Sequence, residues 1–127
     1  IPASVPSMIR HYADVFGLDL KTKAITTFRK IEKEYNEVEG IFPDGKSTLV
    51  ESSREQSAQD SNHIDIWRLP LVPNATEYTR MTFWGEYDGY KASNPVVSPD
   101  GKTIAFQSAR SKDPAGVGYG IYLLKVQ

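Results

Sequence analysis

The chain has 127 residues, 39% of them hydrophobic and 24% charged, and its 15 basic and 16 acidic side chains leave a formal net charge of -1. That is enough for one domain with an ordinary core, while a near-neutral balance argues against a surface built to neutralise phosphates, so no nucleic-acid partner is expected. The absence of cysteine excludes disulfides, thiolate metal sites and cysteine nucleophiles, no apolar run approaches the ~20 residues of a spanning helix, and no secretion-signal pattern opens the chain.

In chain order, the first regular segment is "VFGLDL" at 15 to 20, read as part of a strand over about 11 to 20 with a second strand at about 23 to 28. "FRKIEKEYNEVEG", 28 to 40, spaces Glu and Lys for i,i+4 pairs and is read as a connection with one helical turn. A strand at 37 to 42 then runs into Pro43-Asp44-Gly45-Lys46, followed by strands at 46 to 52, 63 to 71 and 76 to 82. The last segments are strands at 93 to 98, 102 to 108 and 118 to 126, with Pro99-Asp100-Gly101-Lys102 between the first two. Ile104, Phe106 and Ser108 alternate with Ala105 and Gln107, the period of a half-buried strand. Each Asp-Gly is read as a hairpin tip, because glycine takes positive φ freely and aspartate can bond its own backbone.

The two Pro-Asp-Gly-Lys turns lie 56 residues apart (43 to 99), and the match continues from Ser52 to Ser108 and from Arg54 to Arg110. "IWRLPL" at 66 to 71 aligns with "IYLLKV" at 121 to 126, and Val15, Phe16, Leu18 and Leu20 take the places of Ile66, Trp67, Leu69 and Leu71. One unit is therefore present in full and two in part. A four-stranded antiparallel unit repeating every ~40 to 50 residues or slightly more is the signature of a β-propeller blade. The expected fold is all-β, a β-propeller fragment of four-stranded antiparallel blades. Residues 1–28 would end a partial blade, 29–83 form a full blade and 84–127 form the last one.

Ser98 to Arg110, "SPDGKTIAFQSAR", with "GIYLL" at 120 to 124 and "TRMTF" at 79 to 83, resembles the TolB-type, WD-like propeller repeat, which also occurs in tricorn and prolyl-oligopeptidase propellers. The resemblance covers about residues 12 to 126. The middle unit departs from it, with Phe42 where the last unit has Ser98 and Thr48-Leu49-Val50 where it has Ile104-Ala105-Phe106. The resemblance implies an envelope-associated role in bacteria, periplasmic or secreted. Two, four and three strands amount to a little over two blades, whereas closure needs about four. The remaining blades of the same protein, or other chains, are therefore expected to complete the ring, with Ile1 an internal cut and Gln127 the parent's end.

In a propeller the connections between second and third strands, and between blades, emerge on one face. Here they carry Arg54 to His63, Phe83 to Ala92 and Arg110 to Tyr119. "FWGEYDGYKA" concentrates Trp84, Glu86, Tyr87, Asp88, Tyr90 and Lys91. Aromatic rings beside carboxylates suit a protein, peptide or sugar surface, because rings offer large contact area at little entropic cost. The bland reading is that Trp84 and the tyrosines pack between blades, and for Trp84 that reading leads. These six residues, with Arg54 and His63, make up the expected binding face for a protein or peptide partner.

His63 and Asp65, two apart on a strand with Asp60 nearby, could begin a metal site, but no third ligand stands at a recognisable spacing, and solvated polar residues at a strand's start are the simpler reading. His11 has no expected partner. No serine sits in a Gly-x-Ser-x-Gly elbow, and "GVGYG" at 116 to 120 precedes a strand and not a helix N-terminus. Arg54 and Arg110 recur at one place in successive units, which points to a structural task between blades. No catalytic residue, metal or cofactor is expected. The leading expectation is a non-catalytic binding or scaffold propeller; the alternative is the propeller portion of an enzyme, either a serine peptidase's substrate-gating domain or a lyase acting on acidic oligosaccharides.

Overall fold

A computed structural model describes residues 12–54, 63–87, 89–114 and 116–126. Among the described residues, nine strands form three antiparallel sheets of two, four and three strands. The first sheet pairs β1 (Val15–Leu18) with β2 (Ile25–Arg29). The second runs β3 (Asn36–Ile41), β4 (Ser47–Ser52), β5 (Asp65–Pro70) and β6 (Thr79–Arg80) in sequence order. The third runs β7 (Tyr90–Val97), β8 (Thr103–Arg110) and β9 (Ile121–Lys125). This is the meandering order of propeller blades, and the expected all-β architecture is the observed one.

The two Pro-Asp-Gly-Lys stretches turn the chain between the first two strands of the second and third sheets. Only the glycines are left-handed, Gly45 at φ 68° and Gly101 at φ 72°, a conformation that costs an L side chain about 1–2 kcal/mol. The aspartates work by hydrogen bonding: Asp44 accepts the Lys46 N–H at 2.9 Å, and Asp100 accepts the Lys102 N–H at 3.0 Å and the Ser98 hydroxyl at 2.5 Å. The corners are neighbours in space, since a Cβ on Gly101 would lie 3.4 Å from Pro43 Cδ. A break in register falls at the same place in both units, between Val38 and Gly40 and between Ser93 and Val96, and at the second Asn94 adopts φ 53°.

Two apolar clusters fill the seams between sheets. Val15 and Phe28 meet Val50, Trp67 and Leu69 between the first and second sheets. Phe42, Leu49 and Ile66 meet Ala92, Ile104 and Phe106 between the second and third, with Met81, Trp84 and Leu124 packed around them. Every residue of β4 is buried, because its sheet is covered on both faces. β8 keeps an alternating pattern, with Ile104, Phe106 and Ser108 turned inward as its sequence indicates.

The helical turn and several strand bounds change, β7 for one beginning at Tyr90 and not at 93. The fourth strand of the full unit, expected over 76 to 82, pairs only at Thr79–Arg80, because Thr82 is drawn away to bond Asp65 and the Ile66 N–H. The helical turn expected within 28 to 40 gives way to a turn in which Glu34 N–H donates to the Ile31 carbonyl at 3.2 Å. Lys33, at φ 63°, is left-handed there and ends any helical path. β9 starts at Ile121 and not near 118, after Gly120 at φ 158°.

Candidate functional site

The end of the sheets opposite the Asp-Gly turns is organised by the chain's second crossing between sheets, described over residues 81 to 87. Its anchor is Asp65 at the start of β5, a carboxylate with no solvent exposure. Oδ1 accepts the Thr82 hydroxyl at 2.6 Å and the Trp84 N–H at 2.8 Å; Oδ2 accepts Arg80 Nη2 at 2.7 Å and the Gly85 N–H at 3.0 Å. Two backbone amides and a guanidinium thus converge on one buried charge, which makes its burial tolerable. The result is a fixed 310 turn over Trp84–Glu86. The reading of Asp65 as a solvated strand-start residue is therefore corrected. With four donors on its two oxygens it is committed to the loop; Asp60, the other residue of that metal reading, and His11 lie outside the described residues.

The predicted face divides into an exposed and an inward part. Glu86 is exposed and accepts Arg80 Nη1 at 3.1 Å. Tyr87 is 66% exposed and Tyr90 41%, with Tyr90 cross-strand from Arg110. Trp84 turns inward: its ring lies 5.1 Å from that of Tyr122 and it packs on the cluster between the second and third sheets, the bland reading of this residue. Lys91 is buried, and its Nζ donates to the Asp113 carbonyl at 2.9 Å, tying β7 to the loop after β8. His63, half-buried, immediately precedes Ile64, whose carbonyl accepts the Ala92 N–H at 3.2 Å. Arg54 lies apart from these residues, on the other seam, its guanidinium 5.8 Å from the Trp67 ring and 5.1 Å from that of Tyr78. Asp88 is outside the described residues. Phe83, 53% exposed with Arg80 4.7 Å from its ring, and Tyr119, 65% exposed beneath Arg110 at 6.0 Å, join the surface without having been singled out in the sequence.

A second group of polar residues was not anticipated. Glu37, Glu39 and Glu51 bring carboxylate oxygens within 4.8 Å of one another. Glu51 faces Glu37 across β3 and β4, and the register break places Glu39 beside them. Glu51 is buried, and its Oε1 accepts the Asn94 N–H of the third sheet. Burial pushes its carboxyl up to about 7, with Glu39 and Glu37 adding to the shift and the Asn94 amide opposing it. Glu39 is raised too, by burial and then by Glu37. The Tyr35 hydroxyl donates to Glu37 and is itself raised, first by burial. The pairing of Glu37 with Glu51 follows from the hairpin, but the register break that gathers Glu39 leaves no mark in residue type.

No protein-family model matches the chain, and no curated protein matches it. Among solved structures it is similar to a putative TolB from Agrobacterium tumefaciens, at 22% identity and a TM-score of 0.66, over 88% of this chain and 37% of that one. It is also similar to TolB from Acinetobacter baumannii, at 23% identity and a TM-score of 0.55, over 88% of this chain and 24% of that one. The chain therefore spans well under half the length of either protein. The likeness establishes a TolB-like propeller fold.

Proposed function

We propose that this chain is part of a non-catalytic binding or scaffold propeller, completed by further blades of the same protein or by other chains, that presents its loop face to a protein or peptide partner. The observation that carries the reading is the exposure of Phe83, Tyr87 and Tyr90, at 53%, 66% and 41%, on a segment whose backbone Asp65 pins from beneath. Exposed rings on a soluble surface gain nothing for folding. Held rigid, they offer contact area without the ordering cost that a mobile loop would add on binding. Glu86 supplies a carboxylate at the edge of this patch, and Asp88 lies in the same stretch of sequence. The predicted set thereby narrows to Glu86, Tyr87, Asp88 and Tyr90 as contacts, joined by Phe83. Trp84, Lys91 and His63 support them, and Arg54, on the other seam, leaves the set. A periplasmic or secreted placement belongs to the same proposal and rests on the TolB likeness.

Selection of a displayed peptide library on the chain tests this reading, followed by amide chemical-shift mapping of the selected peptides. The expected result is shift changes centred on 83 to 90 and binding weakened about tenfold or more by Tyr87→Ala. Lys46→Ala, at the opposite end of the sheets, should leave binding unchanged. Selected peptides that map to the Asp-Gly end, or ignore Tyr87→Ala, would overturn the assignment.

A further inference from the structure

The second and third sheets meet most intimately where β7 lies against β3 and β4. Glu51 stands at that meeting point. It is 4% exposed, and its carboxyl bridges the seam by accepting the N–H of Asn94, the left-handed residue at the break in β7. β3 faces it with Glu37 and Glu39, whose oxygens lie within 4.8 Å of its own and of each other. Tyr35, just before β3, bonds Glu37. β7 contributes the cation Lys91, whose ammonium donates to the Asp113 carbonyl at 2.9 Å and whose charge still acts on Glu51, against proton retention. β5 places Ile66 opposite Glu51. Its Arg68 is occupied elsewhere, with Nε donating to Ser47 at 2.8 Å and the guanidinium over Phe42 at 4.0 Å. Burial, and then Glu39 and Glu37 beside it, favour the protonated form of Glu51, against the opposing pull of the Asn94 amide and the Lys91 charge.

We propose that this seam is a proton-dependent joint: a proton held by the Glu51 cluster keeps the second and third sheets closed on one another, and its loss loosens the contact between β4 and β7. A neutral Glu51 still accepts the Asn94 N–H through its carbonyl oxygen, and its hydroxyl can donate to a neighbouring carboxylate. An ionised one keeps the first bond but adds a buried charge beside two others. Because the carboxyl in the closed seam holds its proton up to about 7, above the ordinary glutamate value of 4.5, closure is fully favoured below about 4.5. It is progressively lost as pH rises towards 7. Each unit by which the carboxyl's pKa differs between the closed and open seam changes the opening equilibrium by a factor of about ten.

The test is made on the intact chain by NMR. The Glu51 carboxyl carbon is expected to titrate with a midpoint near 7, and the protection factor of the Asn94 amide to fall about tenfold or more between pH 5 and 7. Glu51→Gln, neutral at every pH and of the same shape, should keep the seam closed and make that protection factor independent of pH. A Glu51 midpoint below 5 in the unmodified chain would overturn the joint whether or not the variant folds. So would a Glu51→Gln protein whose Asn94 protection still falls with pH.

Discussion

The chain passes from one sheet to the next twice, and each time an arginine at the end of a sheet's last strand holds the crossing. Arg29, closing β2, grips the first crossing itself: its Nε and Nη2 bond the two oxygens of Glu34, each at 2.8 Å, in a buried bidentate pair. Arg80, closing β6, reaches back to Asp65 in its own sheet at 2.7 Å and only secondarily forward to Glu86 at 3.1 Å. The arginine's clip on the first crossing thus grips a side chain, with the Asn36 amide joining Glu34 at 3.0 Å, while the backbone there is held separately by Tyr35, whose N–H donates to Ser53 Oγ at 3.0 Å and whose carbonyl accepts the Ser53 N–H at 3.1 Å. The second is held through its backbone, because Asp65 also takes the Trp84 and Gly85 amides. A clip that fixes main chain dictates the shape of a loop, whereas one that fixes a side chain only closes the gap. That difference is why the second crossing can serve as a rigid platform for exposed rings.

The largest effect should come from removing the two central carboxylates. Asp65→Ala takes the buried partner from Arg80 and three hydrogen bonds from the second crossing, and is expected to cost about 3–5 kcal/mol in urea denaturation. Glu34→Ala should fall at the low end of that range, because Arg29 keeps the Ala75 carbonyl at 3.3 Å and the Tyr78 ring at 4.7 Å. The two variants should also differ in kind. Asp65→Ala is expected to change near-ultraviolet circular dichroism from Trp84, and Glu34→Ala to leave that signal alone. Equal costs, or an undisturbed Trp84 in Asp65→Ala, would erase the distinction between the crossings.

A smaller effect separates the supporting residues. The Thr82 hydroxyl donates to Asp65 and accepts the Ile66 N–H at 2.9 Å. Thr82→Val keeps the shape and removes both bonds, leaving buried polar groups short of partners at a cost of about 1–3 kcal/mol. Its counterpart is Asn36, which joins Glu34 to the Ser52 hydroxyl and the Tyr78 hydroxyl, both at 2.9 Å. Asn36→Ala is expected to cost at least as much in urea denaturation, since it disconnects four groups, the Ala13 carbonyl at 3.3 Å being the fourth. A Thr82→Val protein as stable as the parent would mean that Asp65 holds its loop through the amides and Arg80 alone.

How much of this was legible in the sequence follows from what each feature depends on. The Asp-Gly corners and the alternation of β8 could be read directly, because a left-handed glycine and a one-sided strand are local facts. The unbroken burial of β4 could not, since it arises from a second sheet on its other face and not from "STLVES" itself. The fourth strand was overestimated because "TRMT" matches a strand by residue type while its threonine and arginine are spent on Asp65. Asp65 was misread for the same reason. Its partners lie 15 to 20 residues away, and only the arginine and threonine after the strand hinted at them. Of the predicted surface, Glu86, Tyr87 and Tyr90 are exposed. Lys91 is not, because β7 begins at Tyr90 and its next three residues, Lys91 to Ser93, are all buried.

The smallest expected effect sharpens the comparison most. Glu86 belongs to the second crossing and bonds Arg80, so by position it resembles Glu34, yet its side chain is 59% exposed where that of Glu34 is 9%. An exposed ion pair competes with water and contributes about 0.2–1 kcal/mol, and Arg80 keeps Asp65 when Glu86 is gone. Glu86→Ala is therefore expected to shift the urea midpoint by no more than that range, and the shift should vanish in high salt. In the proposed binding role the same substitution should weaken selected peptides, so stability and binding would part company at this residue. A loss of about 2 kcal/mol or more that persisted in salt would instead place Glu86 alongside Glu34, making the forward grip of the arginine, and not the backward one, the common principle of both crossings.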